Sequence, residues 1–225
     1  MSSMTQQGLF ELLIKVIVLL TALPVHECAH AMMASRLGDQ TARNLGRATL
    51  NPLVHLDPFG SILMLFTGFG WAKPVPVMSR NFKNVSVKKG MILVAVAGPL
   101  SNLALSLAFM VIYKLIFLVA GGMGLLTASD SIFALGIILE TMITLNIGLA
   151  VFNLLPVPPL DGSRLLTALL PYRIYYKLMR REQLFMLVLF LLLWSGILST
   201  PLFFLRYYVF RGLDLLTFFM GGTIF

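Results

Sequence analysis

Residues Thr21 to Gly38 read TALPVHECAHAMMASRLG, with two histidines and a glutamate inside a run apolar enough to lie in a bilayer. Each polar atom placed there costs free energy unless it finds a partner. On a helix, positions i and i+4 share a face, so His26 and His30 can present ring nitrogens to one ion. Glu27, one position on, then reaches water on that ion, which is the HExxH geometry of a zinc site. The competing reading is a pair of hydrogen-bonded interior histidines. It is the weaker one, because the chain has only three histidines and ionisable groups inside a membrane are functional by default.

The composition around that stretch agrees with a membrane setting. Of 225 residues, 58% are hydrophobic and 12% charged, and the mean hydropathy is +0.90. A soluble domain has about 45–50% apolar and about 25% charged residues. No long polar segment, linker, repeat or low-complexity tract interrupts the chain, so residues 1–225 are expected to form one transmembrane core domain. Cys28 is the single cysteine, which excludes an intrachain disulfide. The net charge of +8 comes from basic residues in short loops between apolar runs, a membrane-topology signal, so no nucleic-acid partner is expected. MSSMTQQGLFELL has neither a basic start nor a small-residue cleavage site, so the first run is expected to stay in the chain.

Crossing about 30 Å of hydrocarbon takes about 20 mostly apolar residues. Four runs qualify, at about 8–33, 91–120, 131–155 and 183–205. A fifth, Phe59 to Trp71, has 13 residues and three glycines, which as a helix reaches only about 20 Å. Arg36, Arg43 and Arg47 precede it, and Lys73, Arg80, Lys83, Lys88 and Lys89 follow it. Both flanks therefore read as cytoplasmic, and the segment reads as a re-entrant hairpin. Another basic loop, Arg164 to Arg181, follows the third run, while Gly121 to Asp130 has no Lys or Arg. The N-terminus is then outside. Arg206 and Arg211 fall beyond the fourth run, on the side where basic residues are not expected. Residues 206–225 are read as an interfacial helix or extra hairpin, and Pro201 as a candidate break. TARNLGRATL, Thr41 to Leu50, lacks helical periodicity and reads as a short strand or hairpin. The expected fold is an all-α polytopic membrane protein with about four to six transmembrane helices and a re-entrant or β-hairpin segment after the first.

A hydrolytic zinc takes three protein ligands and leaves a position for water. Met33 and Arg36 stand where the metzincin pattern needs glycine and histidine, so the third ligand is not in this helix. His55, Asp57, Glu140 and Asp161 remain. His26 and His30 lie near the inner end of the first run, which disfavours Glu140 in the outer half of the third. Asp161 follows Pro156, Pro158 and Pro159, which forbid a regular helix and can turn a carboxylate back toward the first run. His55 and Asp57 stay possible on depth.

HECAH (26–30), NPLVHLDPFG (51–60), GWAKPVPV (70–77), AGPLSN (97–102) and NLLPVPPLDG (153–162), in that order, closely resemble the site-2 protease family of intramembrane zinc metalloproteases. The resemblance covers about residues 9–170 and is to a short form, without PDZ or CBS modules. It implies that Asp161 is the third ligand of one zinc ion per chain, and that Asn153 helps to position substrate. It implies a single-span or other membrane-protein substrate, cut in or near its transmembrane segment, with the lipid bilayer as surroundings. The expected location is the plasma (cytoplasmic) membrane of a prokaryote, with the active site toward the cytoplasm.

Glu27 is then the general base, taking a proton from a water whose pKa the metal lowers to about 7. Asn146, seven residues before Asn153, shares its helix face and suits either substrate contacts or helix–helix hydrogen bonding. His55 has no assigned role, being open as a partner of the ligands, a substrate contact or a loop-fixing residue. Cys28 points away from the metal face, Pro24 is placed to bend the helix before His26, and Glu11 and Lys15 form an i,i+4 pair. A zinc transporter or non-catalytic zinc-binding membrane protein is the alternative. Transport needs a polar path through both leaflets, and the outer half offers only Glu11, Asp130 and Glu140.

Overall fold

The computed structural model describes residues 3–67, 70–123, 130–166 and 170–220. Its helices are α1 (Ser3–Leu20), α2 (Ala22–Arg36), α3 (Thr41–Asn44), α4 (Pro58–Thr67), α5 (Val87–Gly122), α6 (Asp130–Asn153), α7 (Tyr172–Met179), α8 (Glu182–Trp194) and α9 (Ser199–Leu216). Among the described residues, three stretches are long and apolar enough to cross a membrane: Leu12–Arg36, Val87–Gly122 and Ser131–Asn153. A fourth is present if α8 and α9, bent by 87°, count as one span. The count among the described residues is thus three, below the expected four to six, and reaches four only with that bent pair.

Pro24 acts one turn earlier than its own position. Its ring removes the donor that would bond Leu20, and the helix breaks at Thr21, between α1 and α2. The Thr21 hydroxyl donates to Ile17 O at 2.6 Å, and the Val25 N–H still reaches Thr21 O at 3.2 Å. The chain therefore bends and continues, and it delivers His26 and His30 on a fresh helix. The side chain of Glu11 lies outside the described residues. Lys15 Nζ donates to Leu65 O at 3.0 Å, tying α1 to α4.

The expected strand or hairpin over 41–50 does not form, and the described residues contain no β-strand. Asp39 is the reason. Its carboxylate is fully buried and accepts from the Thr41 N–H at 3.1 Å, which starts a helical turn where an extended chain was expected. Gly46, at φ +69°, ends the segment in the left-handed region. The same carboxylate accepts from Met78 N at 2.6 Å and Asn81 Nδ2 at 2.9 Å, so it gathers both loops beside the short segment.

That segment holds the ten-residue α4, about 15 Å long. Its ends meet in one antiparallel bridge, Leu56 to Ala72, and Lys73 N donates to His55 O at 2.8 Å. Gly60 presses against Trp71, where a Cβ would meet the ring at 2.9 Å. Gly68 lies outside the described residues.

The fourth expected span, 183–205, is interrupted at Ser195 to Leu198, where Gly196 has φ +75°. Pro201 is not the break. It sits in the first turn of α9, where its missing N–H costs nothing. Arg206 and Arg211 consequently belong to α9, one continuous helix that starts at Ser199 and not at 206. Residues 221–225 and most of the loop Gly121 to Asp130 lie outside the described residues. Packing centres on α5 and α6, where Met110, Ile143, Ile147 and Val151 form a buried cluster joined by Leu202, Val209 and Leu213 of α9. Lys114 Nζ, buried in α5, pairs with Asp214 Oδ1 at 2.8 Å and donates to Asp214 O and Thr217 O, fastening the end of α9.

Burial pushes the Asp39 carboxyl up, but its hydrogen bonds from Thr41, Asn81 and Met78 outweigh that and hold its pKa below the usual carboxylate range. A depressed folded pKa stabilises above the unfolded value of about 3.9 and loses that contribution as pH falls through the folded value. Asp39→Asn, which turns an amide N–H toward the Met78 N–H, should cost about 1–3 kcal/mol at pH 7. Unfolding in detergent measures it, and the gap to wild type should close below about pH 4.

Candidate metal centre

His26 and His30 lie one turn apart on α2, both buried, with ring centroids 4.6 Å apart. Each ring is oriented through its Nδ1. His26 Nδ1 lies 2.6 Å from Asn102 Oδ1, and His30 Nδ1 lies 2.7 Å from Val94 O. Both partners are acceptors, so both Nδ1 atoms carry hydrogen. The Asn102 amide is settled by its own bonds, because Nδ2 donates to Ala22 O at 3.2 Å and Asn146 Oδ1 at 3.0 Å. In the neutral imidazoles the Nε2 atoms are therefore bare lone pairs.

Those lone pairs face each other at 3.0 Å, and Asp161 Oδ2 stands 3.1 Å from one and 3.2 Å from the other. Three acceptors with no hydrogen between them repel unless a cation sits among them. Among the described residues, His26, His30 and Asp161 are the group able to hold a metal ion. Donor atoms about 2.0–2.1 Å from a tetrahedral zinc stand about 3.3 Å apart, close to the spacing here.

The backbone makes room for this convergence at two glycines. A Cβ on Gly98 of α5 would collide with the His30 ring and come within 2.6 Å of His26 Nε2, so it would fill the space between these donor atoms. Pro99 follows, cannot donate to Ala95, and lies next to the turn whose Val94 carbonyl receives His30. After α6 the chain folds back through Leu154–Leu160 into a 3-10 turn, Asp161–Leu165. Gly162 has no room for a Cβ beside the Leu154 and Leu155 carbonyls, and this tight return carries the Asp161 carboxylate to α2.

The other predicted residues sort clearly. Glu27 is half-buried and makes no hydrogen bond or ion pair among the described residues. Asn153 ends α6, with Nδ2 on Leu149 O at 2.9 Å. Asn146 is fully buried and accepts from Asn102, which is helix–helix hydrogen bonding, while its own Nδ2 donates to Met142 O of the same helix at 2.8 Å. His55 is fully buried and apart from the three; its Nε2 reaches Thr49 O at 2.8 Å, which fixes the loop. Asp57 is occupied as a cap, accepting from Gly60 N at 2.7 Å. Cys28 is a buried thiol in the helix packing. Asn102 and Gly98 went unassigned from sequence, although both lie in the AGPLSN segment. An asparagine in the middle of a long apolar helix was the available signal.

A family model described as Peptidase family M50 matches residues 119–196, the part that carries Asp161. The Bacillus subtilis (strain 168) protein described as "Putative zinc metalloprotease YwhC" is 46% identical over 167 residues, which is 74% of each chain. This chain belongs to peptidase family M50. A second relative, "Putative zinc metalloprotease Rip2" of Mycolicibacterium smegmatis, is 28% identical over 148 residues, or 64% of this chain and 52% of that one. No solved structure matches. The zinc metalloprotease chemistry that HExxH implied is that of the family, and the donor set of this M50 chain fits zinc.

Orienting partners of ligating histidines are commonly worth 10–100-fold in metal affinity. Asn102→Leu, which removes the acceptor of His26 Nδ1–H, should weaken zinc retention by about 10–100-fold in chelator competition. Asn146→Leu, which leaves that acceptor in place, should weaken it far less.

Proposed function

We propose that this chain is an intramembrane metalloprotease that hydrolyses peptide bonds of single-span or other membrane proteins, in or near their transmembrane segments. The observation that carries it is the convergence of His26 Nε2, His30 Nε2 and Asp161 Oδ2 within 3.0–3.2 Å, next to a glutamate with no partner among the described residues. In this reading His26, His30 and Asp161 hold one zinc ion per chain. Such an ion supplies Lewis acidity that brings the pKa of a water down to about 7.

The residues of this chain do the rest. Glu27 accepts the proton of the attacking water and returns it to the departing amine. Asn153, at the end of α6 and eight residues before Asp161, has an Oδ1 without a hydrogen bond among the described residues, which suits a contact to substrate backbone. The α4 segment is read as re-entrant, since it is too short to span and its ends are joined at Leu56 and Ala72. The extended backbone at that bridge offers an edge for an unwound substrate strand. His26 and His30 lie toward the Arg36 end of their span, which supports a site toward the cytoplasmic face of a prokaryotic plasma membrane. Residues 1–225 are read as one membrane core domain.

Two measurements test the assignment. Purified protein incubated with a single-span substrate in liposomes should cleave it, and Glu27→Gln should lower the rate by about 10²–10⁴-fold while keeping its zinc. Equal cleavage by both removes the base from Glu27. For the ligands, metal analysis of Asp161→Ala should show zinc lost, and His55→Ala, which only frees the Thr49 loop, should keep it. The reverse pattern moves the third ligand to His55.

A further inference from the structure

Arg206 and Arg211 play no part in the metal centre. In α9, Phe203, Arg206, Tyr207, Phe210 and Arg211 recur at i, i+3, i+4, i+7 and i+8, a single helical stripe. With Thr144 and Ile147 of α6 they line an open cavity of about 480 Å³. Thr144 and Ile147 stand nine and six residues before the end of α6, about 13 and 9 Å along it, so the cavity lies at the level of a membrane span. Arg206 lies against Gly148, where an added Cβ would be 3.6 Å from its Cδ. Its guanidinium makes no hydrogen bond or ion pair among the described residues. A lone guanidinium at this level demands an anion, and the remaining walls are apolar and aromatic. The complement of such a surface is an anion that carries hydrocarbon.

We propose that the groove between α6 and α9 binds an anionic phospholipid. Its phosphodiester oxygens accept from the planar Arg206 fork, with Arg211 adding positive charge at the same edge. One acyl chain lies along Ile147, Phe203, Tyr207 and Phe210. Basic pockets between membrane helices are general sites for acidic headgroups. A zwitterionic lipid brings an ammonium beside its phosphate, which two arginines repel.

The full chain in mixed micelles is titrated with phosphatidylglycerol or phosphatidylcholine, and retained lipid is counted by native mass spectrometry. Wild type should prefer phosphatidylglycerol on the order of tenfold. Arg206→Gln should bring that preference to near unity. Lys177→Gln, an exposed charge on α7 away from the groove, should leave it intact. Thr144→Trp, which fills the apolar wall and keeps both arginines, should lower retention of phosphatidylglycerol. No preference in wild type, an undiminished preference in Arg206→Gln, an equal loss in Lys177→Gln, or unchanged retention in Thr144→Trp each overturns the proposal. Zinc content, measured on every variant, reports that the bundle is folded.

Discussion

The closeness of α5 to α2 at Gly98 is the constraint on which the site depends. Residue 98 faces the two imidazoles so tightly that any Cβ would occupy the space they enclose. At that separation Val94 O and Asn102 Oδ1, one turn either side of Gly98, each reach one histidine Nδ1. A single helix therefore sets the separation and the orientation of both rings. Asn102 then passes the alignment to α6 through Asn146, so the three helices are locked by hydrogen bonds in a region where apolar packing alone specifies little.

The third member of the group obeys a different constraint. Asp161 lies 135 residues from His26 in sequence and reaches it from a loop, where no helical period aims its side chain. The loop is held by exclusion: prolines forbid helix after Asn153, and Gly162 lets the chain close on its own Leu154 carbonyl. A carboxylate at the end of such a return is positioned by backbone packing and remains free to accept a cation.

What could be read from sequence follows from how local each determinant is. HExxH is a spacing within one turn, so the two histidines and their shared face were legible at once, and the apolar runs announced the α2, α5 and α6 spans. Asp161 was reachable by elimination only to a choice among loop residues, because its partner lies in another helix, and the family resemblance completed it. The misread elements were decided by contacts far along the chain. TARNLGRATL resembles a strand, yet Asp39 caps it into a turn while also holding Met78 and Asn81. The fourth span carried a candidate break at Pro201, yet it breaks at Gly196, and buried Lys114 and Asp214 then set where α9 ends.

Polar bookkeeping across the bundle separates structure from chemistry. Asn102 and Asn146 satisfy each other and the neighbouring carbonyls, Ser106 donates to Ile143 O at 3.1 Å, and Lys114 is held by Asp214. Such groups are paid for by their partners and act as fasteners. His26 Nε2, His30 Nε2 and Asp161 Oδ2 are different, since every one of them is an acceptor turned toward another acceptor. Covalent geometry does not force this, because either ring could rotate away. The donated Nδ1 hydrogens prevent it, so the hydrogen bonds on the far side of each ring hold the near side in a state that only a cation relieves.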